Sequence, residues 1–186
     1  MKVKLRIFEM SRQLILNIAM SLDGYIAGEN DDLDFLKIVE KEGEDYGHSE
    51  FLQTIDTIIW GRRTYDKVLS FGIEFPYRDK NCFVFSKTKI GEDENVKFIN
   101  EDINTFIEKL KHEKGKNIYC DGGGEIVLEL MKNKLIDKFI ISIIPCILGK
   151  GIKLFNESGQ MQKLRLVKTC NFSTGLVQIE YDTIKN

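Results

Sequence analysis

The chain has 186 residues, a length that suits one domain with a hydrophobic core of its own. Hydrophobic residues make up 42% of the chain, charged residues make up 30%, and there are only two prolines, which excludes disordered, collagen-like and low-complexity architectures. The formal net charge of −2 provides no basic field for a nucleic acid or an anionic membrane, so neither is expected as a partner.

Short β-rich apolar runs alternate with amphipathic segments, a pattern that predicts an α/β fold. Eight runs are predicted as strands: 14–20, 57–60, 82–85, 96–99, 117–120, 138–144, 164–169 and 176–181. Helices are predicted over 45–54, 104–112 and 125–132, with a short one after Gly61. We expect residues 1–186 to form a single domain, a mixed, mostly parallel sheet with helices on both faces. Residues 1–12 are predicted as either an extra edge strand or an arm.

The cysteines bear on the compartment and on metal binding. Cys82, Cys120, Cys146 and Cys170 form no C-x-x-C pair and have no neighbouring histidine, so a structural metal site is not expected. Buried, reduced thiols are the favoured interpretation. Charged residues interrupt the apolar stretch near the amino terminus, so neither an export signal nor a membrane span is predicted, and we expect a cytoplasmic protein.

A glycine-rich turn joins a predicted strand to a predicted helix. Asp121 is followed by Gly122, Gly123 and Gly124, and Glu125 then opens the helix. Consecutive glycines let backbone N–H groups converge on an anion at a helix amino terminus, which favours a phosphate-binding turn. The alternative is a tight turn that binds no ligand.

Two further strand ends offer groups that bind anions. Gly61-Arg62-Arg63-Thr64 follows one strand, and arginines at a helix start are unfavourable unless an anion lies there. Ser86 and Lys87 place a hydroxyl and a cation after the next strand. Together with the glycine turn, these residues predict a site for a ligand with several phosphates at the carboxyl edge of the sheet.

The order of these motifs resembles the dihydrofolate reductase superfamily. The segments that carry the resemblance are 19–27, 61–65, 86–88 and 122–126. Segment 145–155, Pro-Cys-Ile-Leu-Gly-Lys-Gly-Ile-Lys-Leu-Phe, is similar to the branch that contains the reductase domain of the bifunctional riboflavin-biosynthesis deaminase/reductase and its stand-alone bacterial relatives. The resemblance runs from about Leu14 to Tyr181 and implies a three-layer dihydrofolate-reductase-like fold.

The resemblance implies NADPH as the reductant. Ala19 and Ile26 would line the nicotinamide pocket, and Ser86 and Lys87 would lie near the adenosine 2′-phosphate. The phosphates would be held by the motifs at the two helix starts, that is by Gly61, Arg62, Arg63, Thr64, Gly122, Gly123, Gly124, Glu125 and Ile126. A homodimer is also expected from the resemblance.

The resemblance also directs attention to substrate-binding residues. In dihydrofolate reductases an acid on the helix before the Gly-Arg-x-Thr motif serves the substrate, which makes Asp45 a candidate catalytic acid; the alternative is an acid that only favours the helix dipole. Asp34 precedes an apolar pair as such an acid does, Asp23 belongs to the first motif, and His48 is expected to face the pocket.

The expected function is therefore the NADPH-dependent reduction of a small heterocyclic substrate. The substrate would be either a pyrimidinone, as in 5-amino-6-(5-phosphoribosylamino)uracil reductases, or a pterin-like compound. The alternative is a non-catalytic nucleotide-binding module on the same fold. Thiol redox chemistry ranks last, because the cysteine spacing offers no partner.

Overall fold

A computed structural model describes residues 12–185, so the predicted arm or edge strand at 1–12 lies outside the described residues except for Arg12. The strands are β1 (Leu14–Ser21), β2 (Tyr25–Ala27), β3 (Ile55–Gly61), β4 (Asn81–Phe85), β5 (Gly91–Glu92), β6 (Lys97–Ile99), β7 (Asn117–Cys120), β8 (Lys138–Ile144), β9 (Ile152–Lys153), β10 (Leu164–Asn171) and β11 (Val177–Thr183). The helices are α1 (His48–Gln53), α2 (Arg62–Ser70), α3 (Ile103–His112) and α4 (Gly124–Lys132), and two 3₁₀ helices cover Glu29–Asp31 and Asp34–Val39.

Nine of the strands form one sheet in the order β10-β11-β8-β1-β7-β3-β4-β6-β5, and β2 pairs with β9 in a separate ribbon. The six strands from β8 to β6 run parallel to one another, whereas β5, β10 and β11 are antiparallel to their neighbours. The predicted mixed, mostly parallel sheet is thus confirmed. All eight predicted strands are present in it, and the two-residue β5 is the ninth.

Helices cover both faces of the sheet, which gives three layers. On one face, α3 and α4 pack on β1 through Leu14 and Leu16. On the other face, α2 and α1 pack against a cluster that includes Ile15 and Trp60. Neighbouring residues of β1 enter opposite clusters because side chains alternate across a strand. The parallel strands therefore end at one edge of a sheet that is buried on both faces, and this edge is open to a ligand.

The sequence prediction misses several short elements near that edge. Helix α1 begins at His48 rather than at residue 45, because Tyr46 (φ 57°) and Gly47 (φ 78°) adopt left-handed backbone conformations that a helix cannot contain. The β2–β9 ribbon and the two 3₁₀ helices have only two to six residues each, too few to show a hydrophobic period. No helix among residues 12–185 combines the length and the apolar character needed to cross a membrane.

Candidate functional site

A groove of about 1980 Å³ runs along the carboxyl edge of the parallel strands. It begins at β8 and β11, with Ser142 and Gln178, and crosses β1 and β7 to reach Gly61 at the end of β3 and Ser86 after β4. Pockets for single small ligands measure roughly 300–1,000 Å³. The groove therefore has room for a dinucleotide together with a second small molecule.

The glycine turn brings two helix amino termini together. A Cβ atom on Gly123, whose φ is +95°, would lie 2.8 Å from the Thr64 Oγ1 of α2, and one on Gly124 would lie 2.7 Å from the carbonyl oxygen of Lys153. Only glycine permits this close approach. The starts of α2 and α4 therefore meet in the groove, where their exposed N–H groups and dipoles favour an anion.

Cationic side chains surround the two helix starts. The Arg62 Nε donates to Asp66 at 2.7 Å, and Arg63 forms an ion pair with Asp31 at 3.2 Å. Both arginines line the groove, and Lys67 and Lys87 do so as well. The buried Ser86 hydroxyl accepts hydrogen bonds from the two backbone N–H groups that follow Lys87, which fixes the turn that carries the lysine. This end of the groove is suited to phosphates.

The structure brings together almost all of the residues that the sequence assigns to the cofactor. Those that line the groove are Ala19, Ile26, Gly61, Arg62, Arg63, Thr64, Ser86, Lys87, Gly123, Gly124, Glu125 and Ile126. Gly122 lies just behind them: it is buried, and its φ of +100° forms the turn itself. The exposed Glu125 is the one acid in this set, in the first turn of α4.

Asp121 is the most unusual side chain of the groove. It directly precedes the glycine turn, and its carboxyl accepts a hydrogen bond from the hydroxyl of Tyr119. Desolvation raises the pKa of Asp121 above its ordinary value, although Tyr119, Trp60, His48 and Tyr77 act in the opposite direction. A half-buried carboxyl with a raised pKa, in a groove, holds a proton more readily than an ordinary aspartate.

The groups around Asp121 come from four elements. Tyr77 from the loop before β4 and Trp60 from β3 are both buried. The imidazole of His48, at the start of α1, lies 6.5 Å from the Tyr119 ring and lines the groove. The sequence prediction includes His48 but overlooks Asp121, although its place between a buried strand and the glycine turn is a usable signal.

Asp45 lines the groove, but its carboxylate serves the local backbone. It accepts hydrogen bonds from the N–H groups of Gly47 and Ser49 at 2.9 and 3.0 Å. The hydrogen bonds from Ser49 and then from Gly47 hold the pKa of Asp45 below its ordinary value. A carboxylate held in the charged form is a poor proton donor, so the geometry favours Asp121 over the predicted Asp45 as the acid of the site.

Asp23 and Asp34 lie outside the groove lining. The Asp23 carboxylate accepts hydrogen bonds from the backbone N–H groups of Leu148 and Gly149, which ties the β1–β2 turn to the loop before β9. The exposed Asp34 pairs with Lys37 at 2.6 Å within its 3₁₀ helix. The structure therefore places neither predicted substrate contact in the groove lining: Asp23 joins two loops, and Asp34 forms an exposed ion pair.

The far end of the groove, beside β8 and β11, is mainly neutral at its floor. The Gln178 Nε2 donates to the Ser142 Oγ at 3.1 Å, and Ile144 and Leu176 add apolar surface. The segment 40–47 forms its rim and is held to the β10–β11 turn by a hydrogen bond between the hydroxyls of Tyr46 and Thr174, whose oxygens lie 3.0 Å apart. Among residues 12–185, no group of three or more His, Cys, Asp or Glu side chains is arranged to hold a metal ion.

A three-layer sheet with its ligand groove at the carboxyl edge, a glycine turn and two converging helix starts is the architecture of the dihydrofolate-reductase-like proteins. The family model described as the RibD C-terminal domain matches residues 77–178, and the chain belongs to this family. The predicted resemblance is confirmed.

Similar proteins agree with this family. The uncharacterized protein YwjB of Bacillus subtilis (strain 168) is 48% identical over 173 residues, which cover 92% of this chain and 98% of that protein. The structure of a candidate riboflavin biosynthesis protein from Shewanella sp. PV-4 is similar with a TM-score of 0.86 and 31% identity, covering 93% of this chain and 99% of that one.

Two more distant structures share the fold alone. One is the diaminohydroxyphosphoribosylaminopyrimidine deaminase/5-amino-6-(5-phosphoribosylamino)uracil reductase from Thermotoga maritima, with a TM-score of 0.69 and 16% identity over 94% of this chain and 57% of that one. The other is dihydrofolate reductase from Enterococcus faecalis complexed with NADP(H), with a TM-score of 0.64 and 14% identity over 93% of this chain and 97% of that one.

Proposed function

We propose that this protein is an NADPH-dependent reductase of a small heterocycle, either a pyrimidinone or a pterin-like compound. The observation that carries the proposal is the position of Asp121, a desolvated carboxyl at the junction of the phosphate-suited end and the neutral end of one groove. A group that can hold a proton between a cofactor site and a second site is what reduction of a C=N or C=O bond requires.

The residues at the phosphate-suited end fit NADPH. The starts of α2 and α4, with Thr64 and the glycine turn, are suited to the pyrophosphate. Lys87 is exposed at the end of the fixed turn after β4 and is suited to the 2′-phosphate. Ala19 and Ile26 offer apolar surface in the groove for the nicotinamide ring. NADPH, when bound, supplies a hydride.

Asp121 supplies the accompanying proton. As a hydride is added to the substrate carbon, the protonated carboxyl donates its proton to the adjacent nitrogen or oxygen of the substrate, and solvent then reprotonates the carboxylate. Tyr119 holds the carboxyl in place through its hydroxyl. His48 lies close enough to Asp121 for its positive form to stabilise the carboxylate that remains after proton transfer.

Oxidation of NADPH at 340 nm in the presence of pyrimidinones and pterins tests the reductase. The reductase predicts substrate-dependent oxidation that the Asp121→Asn variant loses. A non-catalytic nucleotide-binding module predicts NADPH binding without oxidation for every heterocycle of the panel, and this result would refute the proposed activity.

We also propose a homodimer that forms through β10. Among the strands that the structure describes, β10 lies at the edge of the sheet, and one side of its backbone pairs with none of them. Leu164, Leu166 and Val167 on it are 39%, 56% and 48% exposed. An eight-residue edge strand with adjacent exposed apolar side chains is suited to pairing with a second copy.

A cytoplasmic location is proposed on the basis of the thiols. None of the four cysteines forms a disulfide, and Cys82 and Cys120 are buried. Burial raises the pKa of each of these two thiols to about 12, which keeps them protonated and unreactive. Unpaired thiols in a stable core are typical of proteins in a reducing compartment.

A further inference from the structure

Cations are distributed unevenly along the groove. Carboxylates line it along its whole length, but the arginines and most of the lysines lie beside the two helix starts, where Arg62, Arg63, Lys67 and Lys87 are found. Lys153 belongs to the same end, because its backbone carbonyl packs against Gly124, and Lys150 lies 3.8 Å from Glu29 on the neighbouring 3₁₀ helix. These cations are available to the phosphates of a dinucleotide.

The opposite end has a different rim. Segment 40–47 bears Glu40, Glu42, Glu44 and Asp45, all of which line the groove. Among the described lining residues of this segment, Lys41 is the one cation, and its Nζ donates to the Ser173 Oγ at 2.9 Å. Contacts of this segment with the β10–β11 turn place the rim firmly beside β8 and β11.

Among residues 12–185, no cationic side chain contributes to the floor of this end. The Gln178 Nε2 donates a hydrogen bond to the Ser142 Oγ, and it also lies 3.4 Å from the Tyr46 carbonyl oxygen. With its amide nitrogen engaged, Gln178 has its carbonyl oxygen left to accept a hydrogen bond. Acceptor oxygens on the floor and carboxylates on the rim favour a ligand that donates hydrogen bonds. The negative charge of the rim disfavours an anionic ligand.

We propose that the substrate of this protein is an amino-substituted heterocycle without a phosphate group, uncharged or cationic, bound at the β8–β11 end of the groove. This inference rests on the proposed function, because it assigns the cationic end to NADPH. It also distinguishes this protein from a reductase whose substrate carries a ribose phosphate.

A matched pair of ligands tests the proposal. Isothermal titration calorimetry on the full chain, saturated with NADP⁺, would compare a ribosylaminouracil with the same compound carrying a 5′-phosphate. We expect the phosphate to weaken binding by about tenfold or more, since it would face the carboxylates of the rim. Equal or tighter binding of the phosphorylated compound would overturn the proposal, as would failure of both compounds to bind to a protein that binds NADP⁺.

A charge reversal on the rim sharpens the test. Glu42→Lys replaces an exposed groove-lining carboxylate by a cation and should tighten binding of the phosphorylated compound relative to binding of the unphosphorylated one. Glu108→Lys, on the exposed face of α3 away from the groove, is the matched control and should change neither affinity. Equal effects of the two variants would count against the proposal. If the unsubstituted protein did not bind NADP⁺ at all, that result would instead contradict the proposed function itself.

Discussion

The hydroxyl of Tyr119 donates a hydrogen bond to the carboxyl of Asp121, two residues further along the chain. Tyr119 is buried, and burial raises the pKa of its own hydroxyl well above the ordinary value, so it stays protonated and acts as a donor. The other ionisable groups that face Asp121 are His48, Tyr77 and the thiols of Cys82 and Cys120. The charge state of Asp121 is therefore set inside an aromatic cage at the floor of the groove.

Removal of this hydrogen bond should shift the pH dependence of reduction. Tyr119 stabilises the carboxylate form and thereby lowers the pKa of Asp121, so Tyr119→Phe raises that pKa. Because Asp121 donates its proton only when protonated, the rate falls as pH rises through its pKa, and the variant should move this fall to higher pH. Single-turnover rates measured from pH 5 to 10 report the shift.

Tyr65→Phe is the control for that experiment. Tyr65 is also buried, and its hydroxyl donates to a carboxylate, that of Asp93, outside the groove lining. We expect this variant to lose some thermal stability but to keep the pH profile. A similar shift in both variants would mean that Tyr119 has only a structural role.

Matched substitutions distinguish whether Asp121 or Asp45 is the proton donor. Asp121→Asn removes the proton donor and should lower the rate of hydride transfer by about 10²–10⁴-fold, with NADPH affinity retained. Asp45→Asn changes a carboxylate that is already held by backbone N–H groups and should leave the rate unchanged. Stopped-flow measurement of the single turnover distinguishes the two, and the reverse outcome would restore Asp45 as the acid.

Much of the fold is predictable because its core strands have strong sequence signals. Runs such as Lys138–Ile144 are long, β-branched and buried, and all eight predicted strands are present. The start of α1 is predicted wrongly, since the left-handed conformation of Tyr46 depends on hydrogen bonds of its hydroxyl to Val39 and Thr174. The contact with Thr174 joins residues 128 positions apart, so it leaves no local pattern in the sequence.

The candidate site likewise contains some residues that the sequence predicts and others that it does not. The glycine turn and Arg62 are recognisable from sequence because their motifs are local. The role of Asp121 depends on Tyr77 and His48, which are more than 40 residues away along the chain and approach it only in the folded protein. Asp23 lies in a recognisable motif, but its carboxylate bonds to a loop 125 residues away, which sequence alone does not reveal.

Lys87 should determine the preference for NADPH over NADH. Replacement by glutamine removes a charge-assisted contact with the 2′-phosphate and should weaken NADPH binding by about tenfold while NADH binding is unchanged. Lys89→Gln is the control, because Lys89 is ion-paired with Asp93 and lies outside the groove lining. If Lys87→Gln weakened the binding of NADPH and NADH equally, this would contradict the assignment of Lys87 to the 2′-phosphate.

Gly123→Ala should disrupt the meeting of the two helix starts. The new methyl group would clash with Thr64 Oγ1 and the backbone would be strained at φ +95°, so both NADPH affinity and the melting temperature should fall. Gly43→Ala carries similar left-handed strain (φ +75°) but has open space around it, so it should lower stability by about 1–2 kcal/mol and spare cofactor affinity. Differential scanning fluorimetry with and without NADPH separates the two effects.

Leu166→Lys should convert the proposed dimer into a monomer, because it would place a charge in the centre of the β10 pairing surface. Ile90→Lys, which changes a side chain that is 75% exposed near the other edge of the sheet, is the control and should leave the mass unchanged. Size-exclusion chromatography with light scattering measures both masses. A monomeric parent protein, or a Leu166→Lys variant that stays dimeric, would contradict this interface.

The most direct test of the account is a titration with NADPH monitored by tryptophan fluorescence. Trp60 is the only tryptophan of the chain, and it lies at the end of β3 beside Asp121, so a dinucleotide in the groove should quench it. We expect saturable quenching, tighter for NADPH than for NADH, and thermal stabilisation equivalent to about 2.7 kcal/mol at 100 times the Kd. Neither quenching nor stabilisation at saturating NADPH would contradict the assignment of the groove as a cofactor site.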